Sequence, residues 1–193
     1  MSEPELVLAS RSPRRHQLLN MLRIAHVVDP VAIDERVMSG EAPPRFAQRT
    51  AREKAQAGSA RHPERWVLGA DTVVVLDGAI LGKPRSSLEA EGMLAELAGV
   101  RHEVVTAIAL ARGDTVHEAR DVTAVWMGAM TPERIRAYVQ TGEPMDKAGS
   151  YGIQGFGSIL VERIEGDYFS VMGLPVRLVV ELMHRAGLGY QFT

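Results

Sequence analysis

One run, Trp66-Val67-Leu68-Gly69-Ala70-Asp71-Thr72-Val73-Val74-Val75-Leu76, constrains this chain more than any other stretch. Its unbroken, β-branched apolar character predicts a strand buried on both faces. Asp71 stands in its middle, where an unpaired charge would cost several kcal/mol or more, so its carboxylate must be hydrogen-bonded, ion-paired or metal-bound. Thr72 adds a hydroxyl beside it. Asp77-Gly78 then suits a tight hairpin turn, which returns the chain and carries Lys83 of Gly82-Lys83-Pro84 back towards Asp71. A structural aspartate bonded to nearby backbone amides accounts for the same residues equally well.

Charge is gathered near other predicted element ends. Leu6-Val7-Leu8-Ala9 predicts a short strand, and Ser12-Pro13 predicts the cap and first position of a helix with Leu18, Leu19 and Leu22 on its apolar stripe. Arg14 and Arg15, one turn earlier, lie on the same side as that stripe. A helix N-terminus carrying two guanidinium forks is a receptor for phosphate, although a capped helix with snorkelling surface arginines fits the local pattern too. Residues 25–30 predict another strand, followed by the loop carboxylates Asp34 and Glu35, which gain interest only if something brings them near Asp71.

A second helix, about residues 44–60, turns Phe46, Ala47, Thr50, Ala51, Ala57 and Gly58 to one side, with Lys54 at the centre of that small, apolar face. Such a lysine either snorkels past the core or meets an anion. Further helices are predicted over 87–97, from Thr131-Pro132-Glu133 to about Gly142, and over 175–186, with strands over 101–111, 116–130 and 158–164. Residues 149–157 hold four glycines, which implies special backbone angles or close approach to a ligand. Gln154 within that segment has an amide able to read a base edge, because it both donates and accepts. The segment is no dinucleotide fingerprint, since its glycine spacing differs and no strand leads through it into a helix.

Several function classes fall away. The formal charge of −2 argues against nucleic-acid binding, and the absence of cysteine excludes disulfides, thiol catalysis and thiolate metal sites. The six histidines lack metal-ligand spacing, and no serine occupies a nucleophile elbow. Residues 1–5 are acidic and no apolar run approaches the roughly 18 residues of a membrane span, so a soluble, cytoplasmic protein without membrane partners is expected. The 193 residues suit a single domain over 1–193 in which two intimately packed lobes, dividing near residues 85–100, flank a cleft. Arg14, Arg15, Lys54 and Lys83 set against Glu35 and Asp71 suit a polyphosphate and a hard divalent cation, hence phosphoryl or nucleotidyl chemistry with water as acceptor. The residues themselves do not choose which phosphorus is attacked.

Ser10-Arg11-Ser12-Pro13-Arg14-Arg15, Asp34-Glu35, Arg52-Glu53-Lys54-Ala55, Gly69-Ala70-Asp71-Thr72, Lys83-Pro84 and the run from Asp146 to Gly155 resemble, in order and over nearly the whole chain, the Maf (septum formation) family of nucleoside triphosphate pyrophosphatases. The resemblance implies an α/β fold, with a mixed sheet and flanking helices forming two lobes around a central cleft, often dimeric. It also implies hydrolysis of a nucleoside triphosphate to the monophosphate and pyrophosphate with a divalent cation (Mg, Mn or Co). Arg14, Thr72 and Gln154 match the specificity positions of the dTTP/UTP branch, for which modified pyrimidine triphosphates are further substrates. The 7-methyl-GTP branch carries Trp after Ser-Pro and Ser-Asp-Gln in place of Ala70-Asp71-Thr72. Asp71 matches the proton acceptor, and Glu35, Lys54 and Lys83 match other polar active-site positions. Ser10 and Arg15 fall within the phosphate-binding motif, and Glu35 with Asp71 forms the implied metal pair. The alternative from a different class is a nucleotide-binding regulator of cell division with little catalysis.

Overall fold

The computed structural model describes residues 5–192. β1 (Leu6–Leu8), α1 (Pro13–Met21), β2 (His26–Val28) and α2 (Pro43–Arg61) lead into β3 (Trp66–Leu76) and its short partner β4 (Ala79–Leu81). α3 (Ser87–Leu97) precedes the long strands β5 (Arg101–Arg112) and β6 (Thr115–Met127). After α4 (Pro132–Gln140) come three 3-10 turns, Glu143–Asp146, Ala148–Ser150 and Gly155–Leu160. β7 (Val161–Glu165), α5 (Tyr168–Met172) and α6 (Val176–Arg185) follow.

The strands form one seven-stranded sheet in the order β2-β1-β3-β5-β6-β7, with β4 also on β3. β1 runs parallel to both β2 and β3, whereas β4 is antiparallel to β3 and β7 to β6. This is the mixed α/β class that the sequence predicts. Asp77 and Gly78 both take positive φ, 49° and 81°, as the two central residues of a type I′ hairpin turn must. Leu81 consequently pairs with Val74.

Two compact units share these elements. One comprises the chain up to Asp71, Thr106–Asp121 and the chain from Gly173; the other comprises Thr72–Val105 and Val122–Met172. The expected single break near residues 85–100 is therefore replaced by crossings inside β3, β5 and β6, because each of these long strands supplies residues to both units. In the first unit, Val7, Ala9 and Val67 form a small core with Val31 packed against it. In the second, Leu94 and Leu97 of α3 and Ile135, Tyr138 and Val139 of α4 pack with Val104, Val125 and Met127.

Local details depart from the sequence pattern in four places. Ser12 occupies the N-cap position of α1 without a side-chain cap bond, and its own N–H donates instead to Ser10 Oγ at 3.2 Å. Ser86 and Thr131, by contrast, do cap α3 and α4. The buried face of α2 includes Ala55 and Ser59, while Ala57 is only partly covered. β7 begins at Val161, because the glycines at 155 and 157 support a 3-10 turn through Leu160 rather than a strand from Ser158. The five-residue helix α5 carries no periodic signal long enough to be seen in sequence.

Candidate active site

The close approach of α2 to β3 creates the central feature of the first unit. A Cβ built on Gly69 would lie 2.3 Å from the Ala51 carbonyl oxygen and 2.6 Å from the Ala55 nitrogen, so only glycine lets the helix settle at this depth. A Cβ on Gly58 would similarly lie 2.6 Å from Val67 Cγ1. Side chains two apart on a strand share a face, so Asp71 points the same way as Gly69. Residue 54 lies one helical step from 51 and 58 on the packed face of α2. These two periodicities meet at a single ion pair.

Lys54 Nζ donates to Asp71 Oδ1 at 2.8 Å, and both residues are buried, at 9% and 8% exposure. The same ammonium pairs with Glu35 Oε1 at 2.9 Å, bringing in the carboxylate from the loop between β2 and α2. Glu35 keeps more than half of its side chain exposed. Desolvation pushes the Asp71 pKa up, and the Lys54 charge and hydrogen bond, with Arg15 behind them, only partly oppose it; Glu35 adds a like charge. Asp71 is thus a carboxylate with more than ordinary basicity, held in one orientation.

Arg15 braces the floor of this arrangement. Its guanidinium donates to the Gly173 carbonyl at 2.8 Å, to Ser10 Oγ at 3.1 Å and to the Ala70 carbonyl at 3.0 Å. Burial lowers its pKa most, Asp71 raises it, and neighbouring Arg14 lowers it again. Ser10 and Arg15 therefore join the end of β1, the start of α1 and the residue preceding Asp71. Arg14 sits half-buried in the first turn of α1. This bracing role is invisible in the motif, where the two arginines look equivalent.

The second unit carries the other expected residues. Thr72 follows Asp71 on β3 and is partly covered, Lys83 is exposed after β4, and Gln154 is exposed in the glycine-rich segment. That segment is tightly built. Glu143 Oε1 accepts from the Tyr138 hydroxyl and from the Gly157 N–H, each at 2.9 Å, and Oε2 accepts from the Phe156 N–H at 2.9 Å. Tyr138 Oη in turn accepts from the Gly152 N–H at 3.2 Å. Buried His102 bonds through Nε2 to the Tyr151 hydroxyl at 2.7 Å, with the rings edge to face. Sequence reasoning missed Glu143, Tyr138 and His102. The signal available was the segment itself, whose turns leave amides that some acceptor must satisfy.

The donor set bears on a metal ion. Asp71 and Glu35 each direct one oxygen at the Lys54 ammonium and each has a second carboxylate oxygen, and magnesium-type ions use one or two carboxylates while taking the rest of their shell from water and phosphate. The pair fits that mode. It does not fit an all-protein cage, since no group of three or more His, Asp or Glu among the described residues could hold a metal. No helix among the described residues is long and apolar enough to cross a membrane.

Comparison with known proteins places this geometry in context. A family model described as "Maf-like protein" matches residues 5–186. A protein of Symbiobacterium thermophilum is 46% identical over 183 residues, covering 95% of this chain and 94% of the relative. One of Methylobacillus flagellatus is 50% identical over 190 residues, covering 97% and 96%. One of Koribacter versatilis is 45% identical over 183 residues, covering 95% of each. All three relatives are described as dTTP/UTP pyrophosphatases. Among solved structures, the Ham1 protein of Staphylococcus aureus superposes with a TM-score of 0.49 at 16% identity, over 81% of this chain and 79% of that one.

Proposed function

The chain belongs to the Maf family, and on that premise we propose that it is a hydrolase of acid anhydrides that converts dTTP and UTP to the nucleoside monophosphate and pyrophosphate. The observation that supports this reading most directly is the buried Lys54–Asp71 pair sharing its ammonium with Glu35. A carboxylate whose pKa is raised by burial yet oriented by a cation is well suited to take a proton from water. As the α–β anhydride opens, the water oxygen bonds to phosphorus, its proton passes to Asp71 Oδ, and pyrophosphate leaves.

Arg14, Lys54 and Lys83 would neutralise the charge that grows on the leaving pyrophosphate. Arg15, already bonded to Ser10, Ala70 and Gly173, contributes its field and holds the strand end in place. Thr72 and Gln154 would hydrogen-bond the pyrimidine, so a wrong base leaves a polar group unpaired and is rejected. Asp71 and Glu35 would hold a divalent cation (Mg, Mn or Co), which supplies charge neutralisation to the triphosphate.

The test incubates the purified protein with dTTP, UTP, CTP, GTP and 7-methyl-GTP plus magnesium or manganese, and measures pyrophosphate and orthophosphate separately. Pyrophosphate released chiefly from dTTP and UTP is the expected result. Asp71→Asn should lower kcat by about a thousandfold while the protein stays folded. Orthophosphate alone would locate the cut at the γ-phosphate and overturn the proposal. Tight nucleotide binding with no product would instead favour the regulator.

A further inference from the structure

The glycine-rich segment of the second unit is pinned at both ends by one carboxylate. Glu143 receives the Phe156 and Gly157 amides directly and reaches the Gly152 amide through the Tyr138 hydroxyl. Gln154 lies between these anchors in extended conformation, with φ −110° and ψ 168°. The glycines around it are dictated by the carboxylate and the closed loop. A Cβ on Gly155, where φ is +67°, would fall 2.4 Å from Glu143 Oε2. A Cβ on Gly157 would fall 2.3 Å from the Gly152 carbonyl oxygen.

The electrostatics support a charged clamp. Burial alone would raise the Glu143 pKa, but the Gly157 and Phe156 amides, the Tyr138 hydroxyl and Lys147 bring it below the usual carboxylate value. Burial and the Glu143 carboxylate push Tyr138 well above the usual phenol range, so it remains a hydrogen donor to Glu143. Lys147 Nζ also donates to the Glu143 carbonyl at 2.5 Å, tying the backbone of the clamp to the same segment. A carboxylate accepting backbone amides is among the stronger hydrogen-bond arrangements, because the acceptor is ionised.

We propose that Glu143 is a positioning residue for base selection, pinning residues 152–157 in the shape that presents Gln154. This rests on the reading of Gln154 as a base-contacting residue. Glu143 then governs which base is accepted, and leaves the rate of anhydride opening to Asp71 and Lys54. The required carboxylate cannot be replaced by an amide, whose NH₂ would face the Phe156 or Gly157 donor.

The test is Glu143→Gln, assayed with dTTP, UTP and CTP alongside backbone amide exchange. Expected are a KM for dTTP and UTP raised about tenfold, with kcat within about twofold of the parent. The preference for UTP over CTP should fall about tenfold. Exchange at Phe156 and Gly157 should quicken by about tenfold or more. Tyr138→Phe keeps the two direct bonds and loses the link to Gly152, so it should move the same quantities less far. Unchanged exchange, or a proportionate loss of kcat on every nucleotide, overturns the proposal. A merely structural residue would lower Tm and the active fraction without altering the ratio between substrates. An active parent with an unmoved UTP-to-CTP ratio refutes the role of Glu143 alone. A parent that releases no pyrophosphate refutes the functional reading, and base selection with it.

Discussion

Lys54 and Asp71 illustrate how much one side chain can settle. Each is buried, and each offsets much of the other's burial cost, with Glu35 as a second partner of the ammonium. Lys54→Met should cost about 3 kcal/mol of stability, because it strands a buried carboxylate beside an apolar side chain in place of a charge. Adding Asp71→Asn to that variant should recover roughly half of the loss or more, while turnover stays absent. Urea unfolding midpoints for the two single variants and the double variant measure the coupling. Strict additivity would show that the pair does not interact. Both residues were legible in sequence as misfits, a carboxylate in an apolar strand and a lysine on a small-residue face. That Glu35 shares the ammonium was not legible, because it reaches Lys54 from a loop with no periodicity to aim it.

At the level of elements, the α2–β3 contact explains why this site can exist. Gly69 removes a Cβ that would hold the helix off the strand, and Ala51, Ala55 and Gly58 supply the matching shallow face. Gly69→Ala places a methyl against helix backbone rather than against a flexible side chain, so the helix must move. The expected loss is about 3 kcal/mol, at the upper end for overpacking. Because the same movement separates residue 54 from residue 71, kcat should fall further than the folded fraction does. Thermal unfolding with active-site titration of the folded protein separates the two effects, and an unchanged kcat per folded molecule would refute the link. α2, α3, α4 and α6 were visible as patterns of caps and apolar faces. α5 and the 3-10 turn ahead of β7 were not, since short turns leave too few residues for a period to emerge.

For the molecule as a whole, buried His102 makes stability depend on pH. Desolvation, aided by Arg101, lowers its pKa to about 4 from an ordinary 6.5. The folded state therefore resists a proton that the unfolded chain accepts, so stability is fully present above pH 6.5 and is lost as pH falls towards 4. Between pH 6.5 and 5 the loss should be about 1.5 kcal/mol. Urea midpoints across that window, compared with those of His102→Gln, should show the slope in the parent and a flatter line in the variant. Equal slopes would assign the effect to other groups. The sequence by itself determined the buried strand, most helices and the set of charged residues, because burial period, caps and turn residues are local properties; the mixed α/β class followed from the family resemblance of its motifs. Only the tertiary structure decided that Lys54 joins Asp71 to Glu35, that Arg15 braces Ser10, Ala70 and Gly173, and that Glu143 holds the segment bearing Gln154. Those choices depend on distances between residues far apart in the chain, and such distances are set by how deeply a helix can sink onto a sheet.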